Sequence, residues 1–171
     1  MSPRLLRVVL VVAAVVGLWL LWGWYRSPQR RIYRRLDALA GHLEKHGDEG
    51  SLAMAATAQG ITDFFAPGFL VRARPYEGEL RDPQELAGAV LRLRSGARRV
   101  DVDISDRDLK LAPGDRTGEL IYRAAVTLDR GNGPAREAWR VRSLWIEDGG
   151  EWRISELELL ERLEGGGIFG P

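Results

Sequence analysis

The sequence predicts an α+β domain, helices first and a curved antiparallel sheet wrapped around them, preceded by one transmembrane helix. Three observations carry that reading. An uncharged apolar run fills residues 8–25, apolar residues recur at helical spacing between Pro28 and Gly96, and beyond residue 98 the period shortens to two. Residues 1–7 then form a short tail, 8–25 the spanning helix, 26–164 one folded domain, and 165–171 a flexible Gly-rich tail. A chain of 171 residues suits one domain of ordinary size plus an appendage.

The first element is the membrane segment. Eighteen residues from Val8 to Tyr25, at ~1.5 Å rise each, give ~27 Å, close to the ~30 Å hydrocarbon core of a bilayer. Trp19, Trp22, Trp24 and Tyr25 gather at its C-terminal end, where amphipathic rings prefer the headgroup level. Those bulky rings stand where a signal peptidase would need small residues, which argues against cleavage. Ala13 and Gly17 form a small-xxx-small pair within the span. Arg4 and Arg7 precede it, and Arg26, Arg30, Arg31, Arg34 and Arg35 follow it. That asymmetry leans toward a cytoplasmic domain on a single-pass protein of the plasma (inner) membrane, with the five later arginines as membrane-surface residues.

The soluble elements follow in order. Ile32, Leu36, Leu39 and Leu43 mark an amphipathic helix from Pro28 to His46, broken by Gly47-Asp48-Glu49-Gly50. Ser51 is a candidate cap for a second helix running to Phe64 and Phe65, which Pro67-Gly68 ends. Phe69, Val71 and Ala73 alternate as a short strand. The strongest helix start is Asp82-Pro83-Gln84-Glu85, with an N-cap, a proline at the first helical position and a glutamate placed for a capping box. That helix runs through Leu86, Val90 and Leu93 to Gly96.

Val100, Val102 and Ile104 then open the alternating half, and Ala112-Pro113-Gly114-Asp115 turns the chain. Leu120, Tyr122, Ala124, Val126 and Leu128 form a long strand that Gly131-Asn132-Gly133-Pro134 reverses. The return strand places Trp139, Val141, Ser143 and Trp145 on one face, opposite Arg136, Arg140 and Arg142. With Arg123, these arginines make an exterior stripe expected to pair with Asp101, Asp103 and other surface acids.

Composition excludes several function classes. The absence of cysteine removes disulfides, thiolate metal sites and a cysteine nucleophile, and a net charge of +1 speaks against nucleic-acid binding. His42 and His46 are spaced to share a helix face, but no third histidine exists and Lys45 lies between them, so no metal is expected. No phosphate-cradling or dinucleotide glycine motif occurs in a strand-to-helix context, and no cofactor is expected.

The run Asp148-Gly149-Gly150-Glu151-Trp152-Arg153-Ile154 resembles the closing hairpin of the nuclear-transport-factor-2-like superfamily, which includes SnoaL-like and steroid-isomerase-like proteins. The order of helices and strands upstream is similar too, and the resemblance spans about four-fifths of the chain. It implies a cone whose sheet encloses a pocket against the helices. In the isomerase branch, an acidic base and a tyrosine–acid pair act in that pocket. The residues here that could face it are Tyr33, Asp63, Tyr122 and Glu137, but none lies in a matching local motif, so no catalytic role carries over. Trp139, Trp145 and Trp152 are large enough to fill the cone as core.

The expected function is a membrane-anchored, non-catalytic interaction or assembly module, with a protein partner or a second copy docking through the sheet. The alternative is a binder of small apolar molecules, or an isomerase or dehydratase using the pocket. A cone plugged by its tryptophans favours the first. An apolar cavity of ~300 Å³ or more, with Tyr122, Glu137 or Asp63 converging on it, favours the enzyme.

Overall fold

The computed structural model describes residues 12, 15–17, 27–73, 78–165 and 168. Residues 12 and 15–17 are helical, and the expected transmembrane helix otherwise lies outside the described residues. Among those described, no helix is long and apolar enough to cross a membrane.

The elements are α1 (Pro28–Leu43), β1 (Lys45–His46), α2 (Ser51–Ile61) with a 3₁₀ turn at Thr62–Phe64, β2 (Phe65–Ala73), β3 (Glu79–Leu80), α3 (Pro83–Ser95), β4 (Arg99–Leu111), β5 (Thr117–Asp129), β6 (Pro134–Asp148) and β7 (Glu151–Gly165). One sheet holds all seven strands in the order β1-β4-β5-β6-β7-β2-β3. Ile32, Leu36, Leu39 and Ala40 form the buried stripe of α1, at the predicted spacing.

That helix stops at Leu43, three residues before its expected end. The reason is a buried cation: the Arg94 guanidinium donates to the backbone oxygens of His42 at 2.8 Å and Glu44 at 2.6 Å. Those carbonyls lie at the helix end, where intrahelical donors run out. The chain then turns extended, and Lys45 pairs with Val100 while its ammonium donates to Arg94 O (3.0 Å) and Ala97 O (2.7 Å). His42 and His46 therefore do not share a helix face.

The caps divide. Asp82 behaves as expected, its Oδ1 accepting from Gln84 N at 2.8 Å ahead of Pro83. Ser51 does not: Gly50 occupies the cap position and no side-chain cap bond forms.

The sheet is mixed rather than antiparallel, because β2 runs parallel to β7, with Leu70 opposite Glu156 and Ala73 opposite Leu159. No hairpin joins these two strands; β2 enters directly from the helical layer, so nothing reverses its direction. Pro67-Gly68 does not end the segment but lies within β2, where the pairing register shifts between Phe65 and Leu70. Gly68, at φ +74°, adopts a conformation that a larger residue would resist. The two-residue edge strand β3 pairs with β2 through Val71–Leu80 and Arg72–Glu79.

The predicted alternation opens β4 and is interrupted there, and between β6 and β7, by shifts of register. β5 and β6 pair in unbroken register from Thr117–Ile146 to Asp129–Pro134, which buries Leu120, Tyr122, Trp139, Val141 and Trp145 on one face. Irregularities in β4 between Ser105 and Asp108, and at three points between β6 and β7, are devices that bend a sheet. The main core lies between this face and the three helices. A smaller cluster of Ala97, Val100, Leu128 and Ile168 packs with Leu93, Val102 and Val126. Gly165 ends β7 rather than opening a loose tail, and Ile168 is buried.

Candidate functional site

The inner face of the sheet carries two polar groupings. In the first, the Tyr122 hydroxyl hydrogen-bonds the Ser143 hydroxyl. Ser143 donates to Leu120 O at 3.3 Å and accepts from the Trp145 indole N–H at 2.8 Å. Burial raises the Tyr122 phenol above its ordinary range, and the Ser143 bond only partly opposes that, so it stays a neutral phenol. In the second, the fully buried Glu137 carboxylate accepts from the Trp139 indole N–H at 2.9 Å and from the backbone N–H of Ile168 at 3.0 Å. Arg162 lies 3.9 Å away and also faces the Trp139 ring, at 5.7 Å from its centroid.

Both groupings are engaged with the protein itself, as buried polar groups must be. Trp139, Trp145 and Trp152 are all buried in the main core. The Trp152 indole N–H finds no hydrogen-bond partner among the described residues.

The rest of the cone is open. Beside α3 and the Val100–Val126 end of the sheet lies a cavity of about 520 Å³, lined by aliphatic side chains that include Leu43, Leu86, Val90, Val102, Val126 and Leu157. Ile168 closes one side of it, held in place by Glu137. The charged residues lining it are Arg92, from the last turn of α3, and Arg130, just after β5. Tyr33, Asp63, Tyr122, Glu137 and the three tryptophans are not among its described lining residues.

The outcome is thus divided. A cavity large enough for a ligand exists, but the four acid–base candidates do not converge on it. Asp63 is exposed, with its backbone oxygen accepting from Arg35 at 2.8 Å. Tyr33 is half-buried beside β4, bonded to Gln29 and faced by Arg107 at 5.6 Å. Arg92 and Arg130 escaped sequence reasoning because an arginine at a helix end or in a hairpin is ordinarily solvated. Only the fold places both beside the same apolar hollow.

Two of the collar arginines turn toward the domain. Arg31 donates to Gly150 O and lies 3.3 Å from Glu147, while Arg35 stacks on Phe64 at 4.4 Å and lies 3.7 Å from Glu151. With Arg34 they line an open groove of about 380 Å³ that Trp152 floors. Arg26 lies outside the described residues.

On the exterior stripe, Arg123 pairs with Glu164, Arg140 with Glu161, and Arg142 with Glu119 at 2.7 Å. The partners come from β5 and β7 rather than from Asp101 and Asp103. Asp101 instead meets Arg99 on its own strand, and that hydrogen-bonded guanidinium holds its carboxyl below the usual range. Among the described residues no group of three His, Asp or Glu side chains is placed to hold a metal ion.

No family model and no curated protein matches the chain. Solved structures do. A scytalone dehydratase-like protein of Novosphingobium aromaticivorans superposes with a TM-score of 0.64 at 11% identity, over 80% of this chain and 84% of that one. A nuclear-transport-factor-2-like protein with a cystatin-like fold from the same organism gives 0.59 at 12% identity, covering 88% of each chain. A cystatin-fold protein of unknown function from Nostoc punctiforme gives 0.59 at 11% identity, over 77% of this chain and 88% of that one. At such identities the likeness concerns the fold, and function is carried by sites rather than folds. The domain has the nuclear-transport-factor-2-like, cystatin-like α+β cone fold.

Proposed function

We propose that the domain is a non-catalytic binder of a small apolar molecule, held at a membrane by residues 8–25. The observation that supports it is the aliphatic cavity of about 520 Å³, within the ~300–1,000 Å³ range of ligand sites. General acid–base chemistry needs a group within hydrogen-bond reach of the reacting atom. Here Glu137, Tyr122 and Ser143 are occupied with indole, hydroxyl and backbone partners. The tether rests on the sequence of the apolar run and on the exposure of the helical valines Val12, Val15 and Val16. A protein partner or second copy on the sheet would meet the paired charges of Arg123, Arg140 and Arg142, and so would be selected by charge.

The test uses the full chain in lipid nanodiscs and a photoreactive long-chain alcohol, with labelled peptides mapped by mass spectrometry. Labelling should fall on α3, β4 and β5 and be abolished by Val126→Trp, which fills the cavity. Circular dichroism checks that this variant still folds, and Val102→Phe provides a second filling variant. Labelling that avoids these elements, or that persists in both folded variants, overturns the proposal.

A further inference from the structure

We infer that the ligand is a single-chain amphiphile with an anionic head, carboxylate or phosphate, whose head is received by Arg92 and Arg130. This rests on the cavity being a ligand site and adds the chemistry of what enters it.

The charge pattern of the domain carries the argument. Most arginines elsewhere among the described residues are ion-paired, from Arg31 with Glu147 through Arg72 with Glu79 and Arg142 with Glu119 to Arg162 with Glu137. Arg92, Arg98 and Arg130 are exposed and form no ion pair with the described residues. These three are not scattered. Arg92 and Arg130 line the cavity, and the Arg98 guanidinium packs against Gly131, the next residue after Arg130. Asp129, next to Arg130 in sequence, uses its Oδ1 to accept the backbone N–H of Gly131 at 2.7 Å. Among the described residues, arginines without an ion pair therefore collect at one edge of an otherwise aliphatic hollow.

A purely apolar ligand gains nothing from that edge, and a cationic amphiphile is repelled by it. An anionic head on an apolar chain satisfies both surfaces at once. Guanidinium forks suit carboxylate and phosphate oxygens, and bonds to a charged partner are about twice as strong as neutral ones. Arg98, one step back from the lining, adds to the field without touching the chain of the ligand.

The experiment compares four photoreactive probes of equal chain length on the full chain in nanodiscs: an alkyl carboxylate, an alkyl phosphate, an alkyl alcohol and an alkyl trimethylammonium. Either anionic probe should label cavity peptides about tenfold more than the alcohol at equal membrane concentration, equivalent to ~1.4 kcal/mol. The preferred anion identifies the head group. Arg92→Gln with Arg130→Gln should remove that preference, bringing the ratio of anion to alcohol labelling from about ten down to about one. Raising salt from about 50 to about 500 mM should weaken anion labelling alone, because the guanidiniums are exposed. Equal labelling by alcohol and anions, or an anion preference surviving the double variant, overturns the inference while leaving the cavity reading standing. Absence of cavity labelling by every probe overturns both.

Discussion

The Glu137 carboxylate is the test case for how the open end of the cone is held. It is fully buried, and its two oxygens accept from the Trp139 indole N–H at 2.9 Å and the Ile168 N–H at 3.0 Å. Glu137→Gln changes little in volume but leaves one acceptor oxygen and places an NH₂ against a donor. A hydrogen bond to a charged group contributes ~1.5–3 kcal/mol, and a stranded buried donor costs ~1–3 kcal/mol. The loss should therefore be about 3 kcal/mol, lowering Tm by ~10 °C for a domain of this size. Denaturant unfolding of the full chain in nanodiscs measures the stability, and hydrogen exchange at the Ile168 amide reports the local effect. In a Trp139→Phe background one donor is already gone, and the single oxygen of the substituted amide is enough for Ile168. The cost of the same change should then fall to ~1 kcal/mol, a coupling that a double-mutant cycle resolves. A loss below ~0.5 kcal/mol in the parent chain, unchanged Ile168 protection, or simple additivity would refute the reasoning.

Two further outcomes follow from buried polar groups. Burial raises the Tyr122 phenol, so its contribution to stability is complete below its unfolded value of ~10 and is lost as pH rises toward the folded value. Tyr122→Phe should flatten the fall in stability above pH ~10 while costing ~1 kcal/mol at neutral pH, for the lost Ser143 bond; an alkaline limb identical in both proteins would count against this. Arg94→Ala removes the guanidinium that binds His42 O, Glu44 O and the Glu49 carboxylate, and breaking such a buried set should cost ~3–5 kcal/mol in denaturant unfolding. A loss under ~1 kcal/mol would mean that α1 ends at Leu43 for another reason.

The sequence discloses whatever periodicity and local caps determine. The stripe Ile32, Leu36, Leu39, the Asp82-Pro83 start and the two-residue rhythm of β5 and β6 are all readable, because each is decided by neighbours a few positions away. What escapes reading depends on distant partners. The early end of α1 is decided by Arg94, some fifty positions downstream, and the direction of β2 is decided by β7. The site divides the same way. The burial of Trp139, Trp145 and Trp152 follows from alternation, whereas the cavity with its two arginines exists only once α3, β5 and Ile168 are assembled. Alternation also puts Glu137 and Tyr122 on the inner face, but pattern alone does not reveal that their hydrogen bonds are already taken by Trp139, Ile168 and Ser143.

The parallel pairing of β2 with β7 has a consequence for biogenesis. The helices and β2 leave the ribosome well before the strand that completes their side of the sheet, so Phe65 and Phe69 must wait for a partner some ninety positions away. Closing so long a loop slows folding, and the uncovered aromatics are a hazard for self-association during the delay. A circular permutant with β7 spliced directly ahead of α1 would bring the two partners closer in synthesis, and should shorten that vulnerable interval without altering the finished cone.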